Sequence, residues 1–176
     1  MQIEQLTPAT FTAHREALAT LLIDAVEGGA SVGFVLPISR DTALAWVDGL
    51  ADSIADGSRL LWLAHDAGRP LGTVQLELAM RQNGRNRAEV QKLLVMRNAR
   101  RQGIARALMA ALEDAAHALQ RGLLFLDTEA GSPAEDFYGA QGWQYIGGLP
   151  EFACSPDGVW AANAIYYKTL FRRSAT

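Results

Sequence analysis

The chain has 176 residues, 49% hydrophobic and 20% charged, with net charge −3 from 16 Lys+Arg against 19 Asp+Glu. That is one domain's length, apolar enough to bury a core and too acidic overall for a general nucleic-acid binder. A single cysteine, Cys154, and three dispersed histidines, His14, His65 and His117, exclude an internal disulfide and a Cys/His zinc site.

No repeat, low-complexity tract or linker divides the chain, so one domain over 1–176 is expected. Gln2–Leu6 reads as a first strand. Thr7-Pro8 supplies an N-cap and a proline for a first helical turn, and Phe11, Leu18, Leu21, Leu22, Ala25 and Val26 follow at helical spacing until Gly28-Gly29. After small residues from Ala30 to Pro37, Ser39 or Asp41 caps a second helix with Leu44, Val47, Leu50 and Ile54 on one face, closed by Gly57. Leu60–His65 and Leu71–Met80 flank the turn Asp66–Pro70 as a hairpin, and Asn83-Gly84 leads into a third strand, Arg87–Met96. Gln102–Leu119 is the clearest helix, and Leu123–Asp127 is an apolar strand of the buried kind. Then come a helix over Ser132–Ala140, a strand over Trp143–Ile146, a Gly/Pro-rich loop to Gly158, a last strand over Ala164–Phe171 and a frayed tail, Arg172–Thr176. The expected fold is an α/β (α+β) domain with a mixed, mostly antiparallel sheet flanked by helices. No apolar run approaches the ~20 residues that span a bilayer, and MQIEQLTPAT lacks a signal-peptide pattern, so a cytoplasmic protein without membrane partners is expected.

Charge is unevenly spread. Arg81, Arg85, Arg87, Lys92, Arg97, Arg100, Arg101 and Arg106 lie in one stretch with a single acid, Glu89. A local positive field in an acidic chain points to a site for an anionic small molecule, set against the plainer reading of a solvated arginine-rich surface. Within that stretch, a strand ending at Val95-Met96 passes through a short loop with Arg100 and Arg101 into a helix that begins at Gly103-Ile104-Ala105. Free N–H groups and the dipole at a helix start bind anions, and Gly103 and Ala105 leave the backbone accessible to a phosphate. The common nucleotide-binding glycine motifs are absent.

Arg100-x-x-Gly103-x-Ala105 resembles the Arg/Gln-x-x-Gly-x-Gly/Ala motif of the GNAT (Gcn5-related) N-acetyltransferases. Ala134–Trp143, with Phe137-Tyr138 followed by Gly142-Trp143, resembles that family's second signature. The resemblance covers nearly the whole chain and implies the GNAT fold, with acetyl-CoA as co-substrate and no metal. It assigns the cofactor to Leu93, Leu94, Val95, Arg100, Arg101, Gln102, Gly103, Ile104, Ala105 and Arg106. Arg97 stands where the family often has Pro, and Gly131 where many members have an Asn facing the pantetheine arm; the neighbouring Ser132 is expected to supply a polar contact instead. GGASVGF (28–34), RAEVQKLLV (87–95), RGLLFLDTEAGS (121–132) and AIYYKTL (164–170) resemble members of the family that acetylate an amino-acid-like β-lactam toxin.

Moving an acetyl group from a thioester to an amine needs a free-base amine and a proton for the departing thiolate. Glu89 lies on a strand, sharing a face with Gln91, Leu93 and Val95 by period-2 alternation. Asp127 ends the neighbouring strand, where α/β sheets place ligand sites. The pair reads as general base, or else Glu89 offsets arginines and Asp127 caps a turn. Tyr138, at the tyrosine of the second signature, reads as the general acid, against the plainer role of a packed helix tyrosine. Acceptor contacts are expected from Ser31, Val32, Gly33 and Phe34, from the loop 148–162, and from Trp160. Trp46 reads as core, His65 as surface and Cys154 as incidental. The expected partner is a small-molecule amine, in a homodimer. The competing readings are a protein or peptide N-acetyltransferase and a non-catalytic acetyl-CoA sensor.

Overall fold

A computed structural model describes residues 1–172; residues 173–176, most of the tail expected to fray, lie outside the described residues. Seven strands form one sheet: β1 (Gln2–Gln5), β2 (Arg59–Asp66), β3 (Arg69–Leu78), β4 (Arg87–Val95), β5 (Leu123–Glu129), β6 (Gln144–Gly147) and, after a hairpin described below, β9 (Asn163–Thr169). Their order is β1-β2-β3-β4-β5-β9-β6, and every neighbouring pair is antiparallel except β4–β5. The sheet is mixed and mostly antiparallel, as the strand order in the sequence implies.

The helices pack on both faces. α1 (Pro8–Phe11) starts from a complete capping box between Thr7 and Thr10, a 3-10 turn follows over Thr12–His14, and α2 (Arg15–Glu27) carries the apolar stripe. The single helix expected here is therefore broken near its start. The second expected helix is also two, α3 (Arg40–Asp48) and α4 (Ala51–Ala55), because the Gly49 N–H turns back to the Ala45 and Val47 carbonyls. α5 (Ile104–Ala118) and α6 (Pro133–Ala140) cover the other face. The loop read as irregular contains a two-residue hairpin, β7 (Ala153–Cys154) with β8 (Trp160–Ala161).

Two cores result. One joins Val74, Leu76, Val90, Leu124 and Leu126 of the sheet to Leu108 and Leu112 of α5, with Tyr138 and Trp143 at its edge. The other joins Leu61 and Leu63 to Leu18, Leu22 and Val26 of α2 and Val47 of α3. Truncating a fully buried leucine such as Leu112 to Ala costs about 2–5 kcal/mol.

One irregularity positions the site. Thr73 faces Leu94 and Gln75 faces Gln91, so β4 holds one more residue than β3 between those pairs. That bulge contains Lys92, at φ 50°. Upstream of it, Ala88 and Val90 enter the α5 core; downstream, Leu93 and Val95 pack there while Leu94 joins the α2 core. Regular alternation therefore fails: Glu89 and Gln91 lie on the face opposite Leu93 and Val95.

Candidate active site

β4 and β5 run side by side only from Arg87 to Glu89, opposite Leu123 to Phe125, and then part. β4 stays bonded to β3 as far as Val95, and β5 to β9 as far as Glu129, so each strand follows its own partner. The wedge between them is a cleft of about 1290 Å³. Its walls include β4 residues 89–95, the start of α5, Asp127–Glu129, the start of α6, the loop Gly28–Gly33, and Phe152 and Ala153.

At one end lies the start of α5. Gly103 occupies the N-cap position at φ 80° with no side chain capping the helix, and Arg101 before it also has positive φ, 62°. A Cβ on Gly103 would meet nothing within 4 Å, so the space before these first-turn amides is open. Arg100, Arg101, Gly103, Ile104, Ala105 and Arg106 line the cleft, as do Leu93, Leu94 and Val95. Gln102 does not; its amide reaches back to the Asn98 carbonyl at 3.5 Å. Ser132 does line it, while its Oγ caps α6 by accepting from the Glu135 N–H at 3.3 Å.

The sequence-level arginine cluster divides in space. Arg81, Arg85 and Arg87 sit at the far end of β4, a nine-residue strand and therefore roughly 30 Å long. Arg97 turns away to Asp24, with its Nε 2.9 Å from Oδ1, and to Glu27. Three arginines remain at the cleft.

The other end is built from side chains. Glu89 and Asp127 line the cleft from the two parting strands, and neither carboxylate makes a hydrogen bond or an ion pair among the described residues. Glu89 is not spent on its arginine neighbours, and Asp127 caps no turn. Gln91 lines the cleft beside them and accepts from Arg59, whose guanidinium donates to Gln75 and Gln91 at 2.7 Å each, to Glu77 at 2.6 Å and to Ser53 at 3.3 Å. Lys92 lines the same stretch. Burial lowers its pKa, against the charge of Asp127, which raises it; Arg59 lowers it further and Glu89 opposes. The sequence counts Lys92 only as part of the basic stretch, because a bulge that brings it beside Glu89 and Asp127 leaves no trace in period-2 alternation.

Tyr138 reaches the cleft from α6, its ring buried against Phe137, Trp143 and Tyr166. Burial pushes its pKa far above the usual phenol value, and the Asp127 charge adds to the shift. It is therefore a weaker acid than a free phenol and holds its proton to higher pH. Ser31, Val32 and Gly33 line the cleft as expected, but Phe34 turns away to pack edge-on against Trp46, which belongs to the α2 core. Trp160 also lies outside the cleft: it is 63% exposed on the β7–β8 hairpin, beside Glu151. His65 is not a surface residue, since its side chain is 14% exposed between Glu4 and a stacked His14. Among the described residues no cluster of His, Cys, Asp and Glu is arranged to hold a metal, and no helix is long and apolar enough to cross a membrane.

Residues 36–143 match the Acetyltransferase (GNAT) family. The chain belongs to that family. Solved structures repeat the fold at low identity. A ribosomal-protein-alanine N-acetyltransferase from Brucella melitensis is 24% identical, with TM-score 0.75 over 97% of this chain and 100% of its own. The yncA protein of Salmonella typhimurium, solved with its cofactor acetyl-CoA, is 17% identical, with TM-score 0.76 over 100% and 97%. An aminoglycoside 6'-acetyltransferase type Ii is 20% identical, with TM-score 0.73 over 99% and 100%. In this GNAT chain the parted strands and the uncapped α5 start belong to a fold shared with a protein that carries acetyl-CoA.

Proposed function

We propose that the protein is an acetyl-CoA-dependent N-acetyltransferase acting on the amine of a small, amino-acid-like molecule. One observation carries the reading: a single cleft has an open, uncapped helix start at one end and two unpartnered carboxylates at the other. The first-turn amides of α5, with Arg100, Arg101 and Arg106, would hold the pyrophosphate. The β4 edge released beyond Glu89 would pair with the pantetheine arm through Leu93 to Val95. Ser132 adds a hydroxyl beside that arm. Glu89 and Asp127 take the proton of the acceptor ammonium, directly or through a water, and Tyr138 returns one to the departing thiolate.

The acceptor side supports a small molecule over a polypeptide. The Ser31 hydroxyl donates to the Cys154 carbonyl at 3.1 Å and the Leu36 N–H to the Pro156 carbonyl at 2.8 Å, tying the Gly28–Gly33 side of the cleft to the β7–β8 segment. That tie narrows the groove a peptide would need. The stretches 28–34, 87–95, 121–132 and 164–170 resemble the tabtoxin-resistance protein, a GNAT enzyme that acetylates a β-lactam amino acid, so a tabtoxinine-type β-lactam is the first substrate to offer. A pure acetyl-CoA sensor would have no use for Glu89, Asp127 and Tyr138 together. The test is release of CoA thiol from acetyl-CoA across amino acids, aminoglycosides, polyamines, tabtoxinine-type β-lactams and alanine-terminated peptides. Turnover with an amino-acid-like amine supports the proposal, turnover with peptides alone replaces it, and CoA binding without turnover on any amine favours the sensor.

A further inference from the structure

The chain has only two lysines, Lys92 and Lys168. Lys168 is locked: its ammonium donates to both Glu113 carboxylate oxygens at 2.8 Å and to the Gln141 carbonyl at 3.2 Å. Lys92 has no hydrogen bond and no ion pair among the described residues, although it lines the cleft in company with Glu89 and Asp127. It is held there by the β4 bulge, at a positive φ that a non-glycine residue adopts only where the surroundings impose it. Arg59, whose charge also acts on Lys92, is engaged by Ser53, Gln75, Glu77 and Gln91.

This arrangement supplies what the acceptor of an acetyl group needs. An amine stands in the cleft, two free carboxylates are near enough for their charges to act on it, and burial favours its neutral, nucleophilic form. We infer that Lys92 is a self-acetylation site: with acetyl-CoA in the cleft and no acceptor amine present, Lys92 Nζ takes the acetyl group. The inference rests on the acetyl-CoA reading given above. Neutral Nζ attacks the thioester carbonyl carbon, a C–N bond forms and the C–S bond breaks. The proton lost by nitrogen passes to Asp127 or Glu89 and on to the departing sulfur, so CoA leaves as the thiol. The product is an amide, which does not pass its acetyl group on, so the modification is an end state rather than an intermediate of turnover. It replaces a titratable amine by a neutral amide and fills acceptor space. A bound acceptor amine occupies that space first and protects the lysine.

The test uses the full-length protein incubated with acetyl-CoA and no amine, followed by intact mass and peptide mapping. Parallel samples receive acetyl phosphate, an acetyl donor without the CoA handle, or acetyl-CoA with excess desulfo-CoA; Lys92→Arg is treated alike, and CoA binding is measured by calorimetry. The expected result is one acetyl group on Lys92, formed with acetyl-CoA, suppressed by desulfo-CoA and absent from Lys92→Arg. Lys168 and the Met1 amine should stay unmodified over the same time. CoA binding with an unmodified Lys92 overturns the inference and leaves the acetyltransferase reading standing. Labelling that is equal with acetyl phosphate, or indifferent to desulfo-CoA, overturns it as ordinary chemical acylation. Absence of CoA binding removes the functional reading, and this inference with it.

Discussion

At the α5 end of the cleft the chain offers backbone: first-turn amides, a glycine in the left-handed region and no side chain over the helix start. At the Glu89 end it offers side chains from two strands that have just parted, with Lys92 added by a bulge. The two ends differ in what disturbs them. A backbone site withstands most substitutions and fails when the chain can no longer hold its conformation. A side-chain site fails on the loss of one oxygen. If the α5 end holds a constant group and the Glu89 end does the chemistry, changes at one end should move CoA affinity and changes at the other should move turnover.

The largest effects are expected from the carboxylates. Glu89→Gln and Asp127→Asn keep shape and remove a base, and whichever residue accepts the proton should lose about 10²–10⁴-fold in kcat. Part of that loss should return at high pH, where more acceptor amine is already neutral. CoA affinity, measured by calorimetry, should not change. A rise in KM with kcat retained would make both residues substrate anchors and dissolve the division between the two ends.

Tyr138→Phe comes next, with an expected fall of roughly 10–10³-fold in kcat and unchanged CoA affinity. The pH profile gives a separate check. Burial and the charge of Asp127 raise the pKa of this phenol, so it stays protonated well beyond the pH at which a free tyrosine ionises. The wild-type rate should therefore show no alkaline fall from Tyr138 below about pH 10. A limb in that range that vanishes in Tyr138→Phe would mean that the hydroxyl is better solvated during turnover than in this structure. Wild-type kcat in the variant would return Tyr138 to a packing role.

The contrast between the two ends also explains what was legible in the sequence. The α5 end is local: strand, loop, glycine and helix follow one another within about a dozen residues, and the motif names its own geometry. The succession of strands along the chain and the sheet type were legible for the same reason, each element carrying its own periodicity and turn, whereas the insertion of β9 between β5 and β6 was not. The Glu89 end is assembled across distance, and a single inserted residue reverses which face later side chains occupy. That is why Glu89 and Leu93, alike in parity, lie on opposite faces, and why the sequence groups Lys92 with the basic stretch and not with the carboxylates. Phe34 and Trp160 were placed in the cleft by their neighbours in sequence, but the first found a better contact in Trp46 and the second stands on a hairpin too short to show as alternation.

Gly103→Val tests the backbone end. The position requires φ 80°, which a β-branched side chain adopts at a cost of order 1–3 kcal/mol, and the added methyls would project into open space where the pyrophosphate is expected. CoA affinity should fall by about 10–10²-fold, taking 1.4 kcal/mol per tenfold. Unchanged affinity would move the anion away from the helix start.

The smallest effects separate arginines that the sequence groups together. Arg100 lines the cleft, so Arg100→Ala should weaken CoA by a few-fold, roughly what one exposed charge contact contributes. Arg97 stands three residues earlier, yet its backbone N–H and its guanidinium both bond to Asp24 on α2, and it does not line the cleft. Its exposed ion pair joins the turn after β4 to α2 rather than reaching a ligand, so Arg97→Ala should leave CoA affinity unchanged and lower Tm slightly. Raising salt should weaken CoA binding equally in Arg97→Ala and wild type, but less steeply in Arg100→Ala, because of these two arginines only Arg100 contributes charge to the anion's surroundings. Equal losses of affinity in the two variants would mean that the arginines act through a diffuse field, as their crowding in sequence implies, and not through the spatial division that the turn toward Asp24 creates.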